Sequence, residues 1–137
     1  MDKRKELNKG YILEFPGMSI MIKSEIGRGS NAIVYEGEYP DMNQKEMHRV
    51  LVKELFPYHP DGWISRNNDG TIVCEVEAQE YFDFHKHSFE YGNRIHLELL
   101  RKFPNDTGGN VNTFSQNGTL YTVLAYNGSR NLEKRCA

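Results

Sequence analysis

Apolar and polar residues alternate along three successive stretches of the amino-terminal half. From Ser19 to Arg28, Ile20, Ile22 and Ile26 stand against Ser19, Lys23 and Glu25. From Ala32 to Tyr39, Ile33, Val34 and Tyr35 stand against Glu36 and Glu38, and Met47 to Phe56 forms a third run. A period of two predicts half-buried strands. Pro16-Gly17, Pro40-Asp41-Met42-Asn43 and Pro57 separate them as turn signals. Further on, Trp63 to Arg66 and Thr71 to Cys74 flank Asn67-Asn68-Asp69-Gly70. Asp-Gly between β-branched runs is a hairpin signal because the turn needs positive φ, so a ribbon is predicted over residues 62–76.

The pattern changes after residue 76. Phe82, Phe89, His96 and Phe103 recur every seven residues, and Leu99 and Leu100 widen the stripe. This spacing keeps them on one face and predicts a helix over 77–103, weakened at Gly92 and ended by Pro104 and the Asn105–Gly109 run. Val111 to Phe114 and Leu120 to Tyr126 read as two last strands joined at Gln116-Asn117-Gly118. The expected fold class is α+β: a twisted five-stranded antiparallel sheet with one main helix and an extra β-hairpin. Residues 1–18 are expected as a charged amino-terminal segment, with Lys3-Arg4-Lys5 as a solvated terminus, and residues 19–137 as the folded domain.

Composition narrows the function classes. The 137 residues carry a net charge of -2, with 38% hydrophobic and 26% charged residues. No long basic field is present to attract nucleic acid. No signal-peptide core and no apolar run of about eighteen residues occurs, so no membrane partner is expected and a cytoplasmic location is. Cys74 and Cys136 form no C-x-x-C pair and read as free thiols. His85 and His87 point different ways on a helix, which favours a solvated face over a metal site. His96 on the apolar stripe reads as a core or pocket histidine.

The candidate chemistry lies in Gly27-Arg28-Gly29-Ser30-Asn31-Ala32-Ile33-Val34, a strand–turn–strand with two glycines, and in Val50-Leu51-Val52-Lys53, an apolar strand that delivers a lysine nineteen residues after Val34. Glycine lets backbone N–H groups approach phosphate oxygens, and a lysine at that place can neutralise phosphate charge. The bland alternative is a hairpin with two glycines and a surface lysine.

On these two motifs, and on Leu120-Tyr121-Thr122-Val123-Leu124-Ala125-Tyr126-Asn127-Gly128 in third place, the chain resembles the amino-terminal lobe of eukaryotic-like serine/threonine protein kinases of bacterial type. The resemblance runs from about Ile20 to Leu132. It implies a glycine-rich loop over residues 27–34, in which Ile26, Gly27, Gly29, Ser30, Ala32 and Val34 contact ATP, with Ala32 where a third glycine usually stands. It implies that Lys53 grips the α/β-phosphates and that Leu51 replaces the alanine that lines the adenine pocket. It implies a hinge over 124–128, with Leu124 as gatekeeper and the backbone of Ala125 to Asn127 bonding adenine.

The family's helix also carries a glutamate that pairs with the lysine. At ~100° per residue, Glu98 points about 160° away from the apolar stripe and Glu90 lies about 80° off it. Glu90 is the expected partner. A rotated register near Gly92, or no ion pair at all, stays open.

Neither an H-R-D nor a D-F-G motif occurs in the chain. The resemblance therefore implies an ATP-binding lobe that is inactive alone, with magnesium bound only alongside a second lobe. It implies a truncated lobe whose partners are ATP, its own second lobe and a protein substrate, and whose bare interlobe surface invites self-association. A pseudokinase-like interaction module is the alternative, and an unrelated α+β domain a third.

Overall fold

The computed structural model describes residues 2–40, 46–102 and 111–125, with the side chains of 93–102, 111–112 and 125 left aside. Phe103, Tyr126, Asn127, Gly128, Leu132 and Cys136 lie outside the described residues.

Among the described residues, eight strands form two sheets. β1 (Ile12–Phe15), β2 (Met18–Arg28), β3 (Ala32–Pro40) and β4 (Met47–Leu55) come first. A small ribbon, β5 (Ile64–Arg66) and β6 (Ile72–Cys74), follows, then a 3-10 turn at Val76–Ala78 and the helix α1 (Gln79–Lys102). The last two strands are β7 (Val111–Gln116) and β8 (Thr119–Ala125). The main sheet is antiparallel and six-stranded, in the order β1-β2-β3-β4-β8-β7.

This overturns the expected five-stranded α+β sheet. The protein is mostly β, and its sixth strand comes from within the stretch expected as a charged terminal segment. β1 is only four residues long, too short to register as an alternating run, yet Leu13 and Phe15 are buried while Ile12 and Glu14 face out. The turn at Pro16-Gly17, with Gly17 at φ 78°, folds it back onto β2. Two irregularities in β2, between Ile22 and Ser24 and between Glu25 and Gly27, break the register with β3. Bulges of this kind strengthen twist and bend a sheet. The sheet curls far enough that its two edge strands meet: Phe15 of β1 stacks on Phe114 of β7 with ring centroids 4.3 Å apart.

The inner face of the curled sheet is the core. Leu13, Ile20, Ile22, Ile33, Tyr35, Val50, Val52, Tyr121 and Val123 all lie there, each essentially closed to solvent. α1 covers part of the other face through Phe82 and Phe89, packing against β4, β7 and β8. The helix runs unbroken through Gly92. β8 is consequently buried on both faces, including Leu120 and Thr122 on the helix side. The β7–β8 turn adopts positive φ at Asn117 and Gly118, as a two-residue hairpin demands. Its Asn117 carbonyl accepts the Ile72 amide at 2.8 Å, which seats the ribbon on the main sheet.

The amino-terminal residues are not solvated either. Leu7 is buried, and Arg4 has only 8% of its surface exposed. The reason is local polarity at the open end of the sheet. Carbonyl groups there need donors, and a guanidinium supplies several.

Candidate functional site

Directly opposed residues of an antiparallel pair share a face, as do residues two apart on one strand. Val34 stands opposite Lys53, and Lys53 stands opposite Thr122. Leu51 stands opposite Leu124. The structure therefore brings Val34, Leu51, Lys53 and Leu124 to one face of the sheet, the face α1 partly covers. Ala32 shares it and is buried opposite Leu55. Val34, Leu51 and Leu124 are half-buried, and Lys53 is exposed. Glu36 and Arg49 continue the same face and pair with each other at 2.9 Å. An apolar patch with the Lys53 cation beside it can take a flat ring and an attached anion.

The glycine-rich segment is the hairpin that joins β2 to β3. Gly27 pairs with Val34 and Arg28 with Ile33, and the Gly29 amide donates to the Ala32 carbonyl at 2.8 Å. Ser30 is exposed at the tip, and Ile26 sits in the bulge with 56% of its surface open. Ala125 pairs with Val50 at the end of β8. Asn127 lies outside the described residues.

Glu90 does not meet Lys53. It is exposed, and among the described residues no ion pair joins the two. The Lys53 ammonium instead lies over the Phe89 ring, 5.7 Å from its centroid. A cation over an aromatic face is a weak attraction at an exposed site, about 0.5–1 kcal/mol, so the ammonium is not locked there. The side chains of Asn93, His96 and Glu98 are not described.

Two polar clusters on the core side had no counterpart in the sequence reading. The first lies one residue beyond Lys53. Glu54 is fully buried and pairs with Arg66 of the ribbon, whose side chain is 5% exposed. Tyr35 donates its hydroxyl to Glu54 at 2.9 Å and Tyr121 does so at 2.6 Å. Arg66 also donates to the carbonyls of Gly70 and Lys5, at 2.8 and 2.7 Å. Burial, and then the nearby Glu54 carboxylate, push both tyrosine hydroxyls far above their ordinary range. Both therefore stay protonated donors at every working pH. Burial works against the Arg66 charge, but Glu54 outweighs it and leaves that pKa raised.

The second cluster ties the amino-terminal segment to the glycine hairpin. Arg4 donates to the Phe56 carbonyl at 2.6 Å and to the Gly29 carbonyl at 2.8 Å, and is held by Asp2. Arg28, within the hairpin, donates to the Arg4 carbonyl at 3.0 Å and is clamped by Glu25 at 2.6 Å. Hydrogen bonds from Arg4 hold the Asp2 carboxyl well below the ordinary carboxylate range, and those from Arg28 depress Glu25. Depressed carboxyls contribute stability that is fully present above their unfolded values, about pH 4. It is lost as pH falls through the folded values. The amide resonances of Gly27 and Gly29 are accordingly expected to hold still from pH 7 to about 4 and to move below it. Movement centred near pH 6 would contradict the assignment.

Other groups stay outside the site. Burial raises the Cys74 thiol, which makes it a poor nucleophile. His85 packs on the Tyr81 and Phe84 rings, and burial lowers its pKa. Among the described residues no group of His, Cys, Asp or Glu has the arrangement to hold a metal, and no helix is long and apolar enough to cross a membrane. A cavity of about 660 Å³ is lined by Glu14, Phe15, Met18, Tyr39 and His48 and touches none of the Lys53 face. It is wide open and lined by neither lysine nor arginine, so chemistry is better sought at Lys53.

The apo form of PpkA-294, a serine/threonine kinase fragment, superposes on this chain with a TM-score of 0.63 at 25% sequence identity. The match covers 95% of this chain. The fold is kinase-like. This kinase-like chain spans 43% of the PpkA-294 structure. Comparison with protein-family models and with curated proteins found no match.

Proposed function

We propose that this chain is the nucleotide-binding part of a serine/threonine protein kinase and holds ATP on the Lys53 face. The observation that carries the reading is the register Val34–Lys53 at the root of the glycine hairpin. It puts an apolar cover and the Lys53 cation on the same side, next to a turn able to lend backbone N–H groups. Adenine would lie against Val34, Leu51 and Leu124, and the α/β-phosphates against Lys53 and the turn. The likeness to PpkA-294 supports the assignment.

The contribution of this part is positioning and charge neutralisation. Transfer of the γ-phosphoryl group to a protein hydroxyl would need an aspartate to hold magnesium and another to orient the acceptor. The sequence has neither motif, so a second lobe would supply both along with the metal. Calorimetric titration of this chain with ATP and with adenosine tests the reading. ATP is expected to bind at least tenfold more tightly, because a phosphate–lysine contact contributes about 1.5–3 kcal/mol. Equal affinities would remove the phosphate site, and no binding of either would remove the function.

One observation favours the second reading, a pseudokinase-like regulatory module. Lys53 rests on Phe89, and Glu90 does not pair with it. A kinase-active arrangement needs that lysine fixed by an acid. A longer form that binds ATP yet transfers no phosphoryl group would establish the module.

A further inference from the structure

The geometry points to Arg4 as a positioning residue that presets the glycine hairpin for phosphate. The inference rests on the nucleotide reading above and adds a residue outside every glycine-loop motif.

Three consecutive carbonyls at the hairpin tip are occupied. Gly29 accepts from Arg4 at 2.8 Å, Ser30 from the Tyr58 amide at 2.8 Å, and Asn31 from the Phe56 amide at 2.9 Å. No cis peptide bond occurs among the described residues, so the C=O and N–H of each peptide unit point opposite ways. Fixing the Gly29 and Ser30 carbonyls toward Arg4 and Tyr58 therefore turns the Ser30 and Asn31 N–H groups to the other side of the tip. Among the described residues neither N–H donates a hydrogen bond. Successive N–H groups aimed the same way form an anion-binding concavity.

The side on which Arg4 sits matters. Arg28 pairs with Ile33, whose side chain is in the core, and Arg28 reaches the Arg4 carbonyl. The amino-terminal segment thus grips the hairpin from the core side. Val34 and Lys53 face the opposite way. Arg4 has further contacts. Arg4 is held by Asp2 at 2.6 Å and lies over the Phe56 and Tyr58 rings, 5.9 and 5.7 Å from their centroids. Of the three carbonyl anchors, the one on Gly29 is the only one made by a side chain; the same side chain also holds the Phe56 carbonyl at 2.6 Å, just past the end of β4.

The test measures the dissociation constants of ATP and adenosine for wild type, Arg4→Ala and Arg4→Lys, with amide hydrogen exchange read on the same samples. Arg4→Ala is expected to lower the ATP-to-adenosine preference about tenfold, the loss of one charged hydrogen bond's worth of orientation. Adenosine affinity should stay within twofold. Exchange should quicken at Phe56 and Tyr58 but not at Val52 or Val123. A merely structural role would weaken both ligands together. Arg4→Lys, which keeps the charge but gathers its donors on one nitrogen, should recover part of the preference and guards against misfolding of the alanine variant. If wild type prefers ATP and both variants do so equally, the inference fails and the nucleotide reading stands. If wild type shows no preference for ATP, the nucleotide reading fails and takes the inference with it.

Discussion

Glu54→Ala is expected to destabilise the protein by about 3–5 kcal/mol, because it leaves a charge buried without its counter-ion. The Arg66 side chain is 5% exposed and is left with neutral oxygen acceptors, such as the Gly70 and Lys5 carbonyls, once Glu54 is gone. The Tyr35 and Tyr121 hydroxyls lose their acceptor in the same step. Each buried donor left unpaired costs about 1–3 kcal/mol. Domains of this kind are stable by only about 5–15 kcal/mol in total, so urea unfolding should show a large drop in midpoint. The double variant Glu54→Leu/Arg66→Met should be less destabilised than the two single changes added together, since no lone charge remains. Additive losses, or a Glu54→Ala variant within about 1 kcal/mol of wild type, would mean that water reaches this cluster.

Lys53→Met separates binding from stability. One residue away along β4, the side chain faces the opposite way and is exposed. Its contact in the structure is the Phe89 ring. Stability should therefore change by less than about 1 kcal/mol. ATP affinity should fall about 10–100-fold through the lost ammonium–phosphate contact, while adenosine affinity stays level. Any longer form that transfers phosphoryl groups should become inactive with this change. A Lys53→Met chain that binds ATP as wild type does would strip this residue of its role.

The contrast between these neighbours explains what could be read from the sequence. Alternation is a local signal and located β2, β3 and β4, while turn residues located both hairpins, where Gly70 and Asn117-Gly118 carry positive φ. The same alternation sets Glu54 in step with Val50 and Val52, on the inward parity. A carboxylate at that position signals a buried charge, but its partner Arg66 lies beyond a loop and a separate ribbon, and no local pattern identifies it. β1 escaped because two buried residues in four do not make a period. Arg4 escaped because a cation in a charged run looks solvated unless the carbonyls it serves are known. At the candidate site, strand register was enough to bring Val34, Leu51, Lys53 and Leu124 together. Glu90 depended on helix rotation, where a residue about 80° from the packed stripe can fall either way. The structure leaves it in solvent.

The most direct test of the proposed nucleotide site is an amide-shift map of this chain titrated with ATP. The largest changes are expected at Ser30, Asn31, Val34, Lys53 and Leu124, on the face that β3, β4 and β8 share. Changes centred on Glu14, Tyr39 and His48, or none at saturating ATP, would contradict it.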